Sequence, residues 1–172
     1  MIFVHVSNEE LLHTLSKLSN IIWHEFFPAI LSSEQIDYMV DKFQSYEAMK
    51  KQINDGYEYY LLKLNNEYIG YTGIKKEESK LFISKIYLLK EYRGKHLTKN
   101  IFEFFDDVCI KNKLTSQYLT VNKYNRKAIN VYLHNGFCIT DAVVTDIGNG
   151  YVMDDYIMEK LRRVLWYHLL QF

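Results

Sequence analysis

The basic turn at residues 90–96, KEYRGKH, has the residue types and the position of a phosphate-binding loop. An apolar run at residues 81–89 precedes it and is typical of a strand, and an amphipathic helical pattern follows from Leu97. The first amides of a helix have no partner inside the helix, and the helix dipole is positive at this end. Strand, basic turn and helix therefore predict a site for a pyrophosphate.

The main chain of residues 94–99 is expected to provide most of this anion site. Lys95 and Lys99 add positive charge, and the Thr98 hydroxyl could donate a hydrogen bond to a phosphate oxygen. The alternative is an ordinary strand-to-helix turn with a solvated basic edge.

Composition narrows the class of protein. The 172 residues are enough for one domain with a substantial core, and we expect a single domain over residues 1–172. Lysine plus arginine and aspartate plus glutamate both total 21, and this zero net charge argues against a general binder of nucleic acid or anionic membrane. The opening MIFVHVSNEE lacks the basic start of a signal peptide, and no apolar run is long enough to span a membrane. A cytoplasmic location is expected.

The cysteines and histidines suggest neither a disulfide framework nor a metal site. Cys109 and Cys138 lack metal-ligand spacing and are expected to be buried free thiols. The six histidines include no HExxH pair, so no metal is expected.

The first third of the chain is predicted to be mainly helical. Ser7, with Glu10 three residues later, resembles a capping box, and Pro28 marks the end of the first helix. The expected elements are a strand at residues 1–6 and helices from Ser7 to about His24, from a cap at Ser32 or Ser33, and over residues 45–53.

The rest of the chain alternates between strands and helices. Strands are expected at residues 57–64, 67–75, 81–89, 116–121, 137–144 and 151–159, and helices at about 97–113 and 126–134, with Gly136 as a left-handed cap. Gly70 and Gly73 within a strand indicate a bulge or a close backbone approach. A helix connects the third of these strands to the fourth, so the two should be parallel. The predicted fold is α+β, with a mixed, mostly antiparallel sheet of about seven strands flanked by helices; the apolar tail at 161–172 is expected to be helical and could form a homodimer contact.

Three segments together resemble the GNAT family of acetyltransferases. EYRGKHLTK matches the start of the family's Arg/Gln-x-x-Gly-x-Gly/Ala loop at Arg93 but has His96 and Thr98 at the two later positions. NRKAINVYLHNGF, residues 125–137, closely resembles the N-x-x-A-x-x-x-Y-x-x-x-G-F block. The ending GNGYVMDDYIMEK and the helices between residues 7 and 53 resemble members that act on polyamines and similar small amines.

The resemblance implies acetyl-CoA as co-substrate, held where the central parallel strands splay apart. It implies main-chain contacts from the end of the first of those strands to the pantetheine arm. The residues expected to bind the co-substrate are Ile86, Tyr87, Leu88, Arg93, Gly94, Lys95, His96, Leu97, Thr98, Lys99, Asn125 and Ala128. Tyr132 stands two helical turns after Asn125 and is the candidate general acid, since a phenol is neutral at pH 7 and can protonate a thiolate.

The general base stays open at the level of sequence. His24, Glu25, Glu58, Asp154 and Asp155 are all candidates, acting directly or through water. Glu25, Asp154 and Asp155 could also bind a cationic acceptor.

The function expected from these features is N-acetyl transfer from acetyl-CoA to a primary amine of a small molecule, a polyamine among the options, by direct attack in a ternary complex. One alternative is a non-catalytic acyl-CoA-binding or regulatory domain of the same fold, since His96 and Thr98 replace loop glycines. The other is a peptide or protein N-acetyltransferase, which would differ only in its acceptor groove.

Overall fold

The computed structural model describes residues 1–162 and contains a sheet with helices on both of its faces. The strands are β1 Ile2–His5, β2 Tyr57–Leu64, β3 Glu67–Lys76, β4 Lys80–Leu88, β5 Ser116–Asn122, β6 Cys138–Gly148 and β7 Tyr151–Leu161. The α-helices are α1 Glu9–Phe26, α2 Ser33–Gln44, α3 Tyr46–Asn54, α4 Thr98–Lys111 and α5 Arg126–His134. None of the helices within residues 1–162 is long and apolar enough to cross a bilayer.

The strands form one sheet in the order β1-β2-β3-β4-β5-β7-β6. Strands β4 and β5 pair in parallel, and every other neighbouring pair in the described sheet is antiparallel. The parallel pair is central because α4 carries the chain from one strand to the other, as a crossover requires. The predicted α+β sheet of seven strands with a central parallel pair is confirmed.

Apolar side chains cover both faces of the sheet. One core joins α4 and α5 to the sheet through residues such as Ile101, Phe105 and Ile129. A second core, which includes Leu15 and Tyr59, joins α1 and α3 to the opposite face, and a third around Trp23 and Met39 joins α1 to α2.

Two strand glycines allow close packing at the centre of the sheet. A Cβ atom on Gly70 would lie 2.2 Å from the Tyr87 carbonyl oxygen, and one on Gly73 would lie 2.9 Å from the Tyr59 ring. The close backbone approach is therefore confirmed at Gly70, and the alternative prediction, a bulge, is confirmed at Gly73, where the register with β4 shifts. At Gly70 the close approach lets β4 sit against β3 at the segment that carries Tyr87 and Leu88.

The structure corrects several local predictions. Asn8, not Ser7, caps α1, because its Oδ1 accepts a hydrogen bond from the Leu11 amide at 2.9 Å. Cys109 is buried as predicted, whereas Cys138 is exposed because it begins the edge strand β6. Leu161 ends β7 and is not part of a helical tail; residues 163–172, with the remainder of that prediction, lie outside the described residues.

Candidate active site

The parallel strands β4 and β5 separate part-way along their length. They pair only at Lys80–Ser116, Leu81–Gln117 and Phe82–Tyr118. Strand β4 is irregular against β3 at the same level, since its register shifts between Gly73 and Ile74. Beyond this point residues 83–88 of β4 and 119–122 of β5 line a cavity of about 370 Å³.

The turn before α4 leaves the helix's first amides free of side-chain caps. Leu97 is the N-cap residue and provides no side-chain hydrogen bond, and the first turn contains no acidic residue. Gly94 has φ +73° and His96 has φ +58°, so both adopt the left-handed conformation that glycine accepts most readily. Uncapped amides in a basic turn are the geometry that an anion favours.

Arg93 connects this turn to β4 and α1 through side-chain contacts. Its Nε donates to the Leu88 carbonyl at 2.8 Å, and its guanidinium lies 4.9 Å from the centre of the Phe26 ring. Glu25 is 3.7 Å from the same guanidinium and accepts a 3.3 Å hydrogen bond from the Lys90 amide. The turn is thereby tied to the end of β4 and to α1.

Both ends of α5 are fixed by local hydrogen bonds. The Asn125 Oδ1 accepts from the Ala128 amide at 3.2 Å. Gly136, at φ +88°, is the left-handed cap predicted from the sequence, and the Phe137 amide donates to the Tyr132 carbonyl at 3.1 Å, which completes a Schellman motif. Phe137 is buried, with its ring centre 6.0 Å from that of Tyr132. The glycine and phenylalanine of the NRKAINVYLHNGF block thus hold the Tyr132 backbone and ring in place.

Tyr132 extends from α5 into the wall of the cavity. Burial raises the pKa of its phenol to about 12, so the group keeps its proton at neutral pH. Ala128 and Asn125, about one and two turns earlier, line the same wall.

Asp155 brings a carboxylate to the cavity from β7. It is only 4% exposed, and within the described residues its Oδ1 has no hydrogen-bond partner. Burial, followed by the nearby charge of Asp154, raises the pKa of Asp155 to about 6, while Lys123 opposes the shift. A buried carboxylate with an unsatisfied oxygen is suited to hold a cationic group.

Its neighbour Asp154 has a different environment. Successive strand residues point to opposite faces of a sheet. Asp154 forms an ion pair with Lys123 and is absent from the cavity wall in the described structure. Of these two adjacent carboxylates, only Asp155 is free to meet a ligand.

An aromatic and aliphatic surface forms the rest of the wall beyond the strand opening. Trp23 and Phe27 pack at 4.2 Å between ring centres, and each contacts Tyr87, at 5.7 and 6.1 Å. The Trp23 Nε1 donates to the Tyr71 hydroxyl at 3.2 Å, which satisfies the indole N–H. The other apolar residues of this surface are Phe26, Leu31, Met39, Val152 and Met153.

Lys85 is a buried lysine at the site. Its Nζ donates to Gln52 Oε1 at 3.0 Å and lies near the Tyr59 ring, so its ammonium group belongs to the α3 side of the sheet. Burial lowers the pKa of Lys85 to about 7.

The sequence-predicted residues divide between the cavity and its surroundings. Those in the cavity wall are Ile86, Tyr87, Leu88, Arg93, Gly94, Thr98, Asn125, Ala128, Tyr132 and Asp155. Lys95, His96, Leu97 and Lys99 lie in the adjoining turn and the first turn of α4, outside that wall.

Four of the candidate carboxylate or imidazole groups are engaged elsewhere. Glu25 faces Arg93 and Asp154 faces Lys123. His24 forms a 2.9 Å contact with Asp37, and Glu58 lies 2.7 Å from Lys76. The described structure therefore leaves Asp155 as the base candidate within the cavity.

Sequence reasoning missed the apolar half of the wall. Ile22, Trp23, Phe26 and Phe27 are clustered just before Pro28, and this density of large side chains at a helix end was the available signal. It did not predict a site because the same pattern is typical of ordinary core packing.

Comparison with known proteins decides the family. The model of the acetyltransferase (GNAT) family matches residues 15–137, which include the turn before α4 and all of α5. The chain belongs to the GNAT family of acetyltransferases. No curated protein matches the chain in sequence.

Solved structures of GNAT acetyltransferases share the fold of this one. PaiA N-acetyltransferase from Thermoplasma acidophilum, in complex with coenzyme A, is 24% identical with a TM-score of 0.75, over 94% of this chain and 99% of that one. A spermidine N-acetyltransferase mutant from Vibrio cholerae is 19% identical with a TM-score of 0.65, over 94% and 93%. A GNAT family acetyltransferase from Elizabethkingia anophelis, with acetyl-CoA bound, is 17% identical with a TM-score of 0.56, over 66% and 81%.

Proposed function

We propose that this GNAT protein is an acetyl-CoA-dependent N-acetyltransferase that acetylates a primary amine of a small molecule. The observation that carries the proposal is a single cavity lined by the opening between β4 and β5, by Tyr132 and by Asp155. The proposed co-substrate site, proton donor and proton acceptor therefore line the same space.

The donor half of the cavity fits coenzyme A. The uncapped amides at the start of α4 and the left-handed Gly94 offer main-chain donors to a pyrophosphate. Beyond Phe82, the β4 main chain on the side of β5 has no strand partner in the described sheet, and its groups are available to the pantetheine arm. Acetyl-CoA, when bound there, supplies an acetyl group activated as a thioester.

Asp155 is suited to bind the protonated amine and to remove its proton. A primary amine is protonated at neutral pH and must lose a proton before it can attack. The Asp155 carboxylate would bind the ammonium group and accept its proton, and a pKa of about 6 lies close to the working pH that favours general base catalysis.

Tyr132 is suited to protonate the leaving sulfur. Its raised pKa keeps the hydroxyl protonated until negative charge develops on the departing thiolate. An unpaired β4 amide would meanwhile stabilise the oxygen of the reacting carbonyl.

The positions of the two cysteines favour direct attack of the amine on acetyl-CoA over a covalent acetyl-enzyme. Cys109 is buried in the core, where burial raises the pKa of its thiol to about 11, and Cys138 is on the edge strand. Neither of them lines the cavity as described. A thiol of high pKa is a poor nucleophile at neutral pH.

Release of CoA from acetyl-CoA in the presence of a panel of amines tests the proposal. The panel contains aliphatic monoamines, aralkylamines, diamines, spermidine and a peptide with a free N-terminus, and mass spectrometry identifies the acetylated product. Acetylation of at least one small amine is the expected result. Thermal stabilisation by CoA without turnover of any amine would favour the non-catalytic alternative, and acetylation of the peptide alone would favour the other.

A further inference from the structure

We infer that the acceptor is a compact primary amine with one cationic nitrogen and an apolar body, of which an arylalkylamine is the best fit. This inference rests on the proposed function and specifies its substrate class. The juxtaposition of one buried, unpartnered carboxylate with an acceptor wall that is mainly apolar, apart from the uncharged amide of Gln35, carries it.

The charged side chains that line the cavity favour an acceptor with a single ammonium group. Asp155 is the one carboxylate that lines the cavity within residues 1–162. Glu25 and Asp154, which could have bound further cationic centres, face Arg93 and Lys123 instead. Two cationic side chains, Arg93 and Lys127, also line the cavity and would disfavour a second ammonium group near them.

The acceptor wall supports an apolar body. Trp23, Phe27 and Met39 are buried side chains that present carbon to the cavity, and Leu31 and Met153 are half-buried there. A second ammonium group against this surface would lose its hydration without gaining a charged partner, which is unfavourable. A hydrocarbon or aromatic body would instead gain from leaving water.

The aromatic rings favour a ring-bearing body over a cation. Trp23, Phe27 and Tyr87 pack against one another with interplanar angles of 31°, 56° and 67°, rather than enclosing a space between their faces. A cation–π site needs exposed ring faces. Edge-to-face and tilted packing extends naturally to one more aromatic ring.

The size of the cavity supports a compact acceptor. The volume of about 370 Å³ includes the opening between β4 and β5 as well as the space beside Asp155. An acceptor must share it with the acyl end of the co-substrate. Part of an extended polyamine would therefore protrude from the cavity.

Matched pairs of substrates test the inference. We would compare kcat/KM for hexylamine with that for 1,6-diaminohexane, and for 2-phenylethylamine with that for spermidine, in the wild-type protein. Within the first pair, an ammonium group replaces one hydrogen of the terminal methyl group. We expect kcat/KM to be at least about 100-fold lower for each polycation, because the second charge is buried without a partner.

A charge added to the acceptor wall provides a second test of the inference. Leu31→Glu places a carboxylate at the half-buried edge of the acceptor wall, and Leu31→Gln is the uncharged control of equal size. The diamine-to-monoamine ratio of kcat/KM should rise about tenfold in Leu31→Glu relative to Leu31→Gln, since the added carboxylate partners the second ammonium group.

The outcomes separate this inference from the proposed function. Equal or faster turnover of spermidine and 1,6-diaminohexane would overturn the inference and leave the acetyltransferase proposal intact. An unchanged ratio between the Leu31→Glu and Leu31→Gln variants would also count against it. Failure to acetylate any amine would overturn both.

Discussion

The two halves of the cavity are built on different principles. The donor half consists mainly of main-chain groups: the separated strands, the turn with left-handed Gly94 and His96, and the uncapped start of α4. The acceptor half consists of side chains, namely an aromatic wall and the single carboxylate of Asp155. We therefore expect co-substrate binding in the donor half to tolerate varied side chains, whereas single substitutions should change the specificity of the acceptor half. Tyr132 stands in the wall that serves both.

Tyr132→Phe should produce the largest effect, because Tyr132 is the proposed general acid and lies where the two halves meet. Loss of the hydroxyl removes the proton donor, and kcat should fall by about 10²- to 10⁴-fold. The affinity for CoA should change little. Steady-state rates together with calorimetric titration of CoA measure both quantities.

Tyr118→Phe is the matched control for this variant. Tyr118 donates to Glu77 at 3.0 Å away from the cavity, so its hydroxyl should be dispensable for turnover. Full activity of Tyr132→Phe, or equal losses in both variants, would remove Tyr132 from its assigned role.

Asp155→Asn should affect the acceptor half alone. The amide cannot hold the ammonium group by charge or accept its proton, so kcat/KM for the amine should fall about 100-fold with an unchanged Kd for CoA. In the wild-type protein kcat/KM should decrease as pH falls through about 6, where Asp155 takes up a proton. The variant should lack this decrease.

Asp154→Asn is the control on the same strand. It loses an ion pair with Lys123 outside the cavity, and its pH profile should keep the decrease, displaced to lower pH because the Asp154 charge helps to raise the pKa of Asp155. A wild-type profile that is flat down to pH 5 would contradict the assignment of Asp155.

The same carboxylate should lower the stability of the protein at neutral pH. Its folded-state pKa is about 6, above the ordinary value of 3.8, so the folded state binds more protons than the unfolded state between these values. The free energy of unfolding therefore decreases as pH rises from about 4 to 6. Asp155→Asn should be more stable than the wild type at pH 8 by on the order of 2–3 kcal/mol, and the difference should vanish below pH 4. Urea unfolding at both pH values measures it, and equal stability at pH 8 would argue against the raised pKa.

Gly94→Ala should affect the donor half alone. The φ of +73° makes alanine unfavourable by about 1 kcal/mol, although a Cβ there has nothing within 4 Å. The strain should shift the turn and weaken CoA binding about five- to tenfold, while KM for the amine stays the same.

Gly150→Ala is a close match for this change. Gly150 has φ +77° and equally open surroundings, but it lies in the turn between β6 and β7. It should lose similar stability without any change in CoA affinity. Equal weakening of CoA binding in both variants would mean that general destabilisation, not the turn, is being measured.

His96→Gly should give the smallest effect and test whether the turn acts through its amides. Glycine relieves the left-handed strain at φ +58° but adds freedom to the unfolded chain, so the gain should stay below about 1 kcal/mol, or roughly 2 °C in Tm. CoA affinity should be equal or a few-fold tighter. Asn149→Gly, at φ 54° in the β6–β7 turn, is the control and should leave CoA affinity unchanged. Weaker CoA binding in His96→Gly would show that the imidazole contributes a contact.

Sequence reasoning was most successful where local chemistry determines the structure. The bounds of β2 and α5 and the left-handed cap at Gly136 were predicted correctly, because a turn, an N-cap or a glycine defines each of them. The parallel pairing of β4 and β5 followed from the helix between them.

The acceptor half could not be predicted in the same way. Asp154 and Asp155 are identical in type and adjacent in sequence, and the pairing of β7 with β5 and β6 decides which of them faces the cavity. The aromatic residues before Pro28 form part of the cavity wall only because α1 packs against β4, and the sequence does not show this packing. Tertiary contacts, rather than local preference, determine these features.

An initial-rate study with both substrates varied tests the central claim most directly. In wild-type protein, acetyl-CoA and 2-phenylethylamine should give N-acetyl-2-phenylethylamine with double-reciprocal lines that intersect, because donor and acceptor occupy one cavity together. Parallel lines would indicate a covalent acetyl-enzyme, and the absence of product with any amine would contradict the assigned activity.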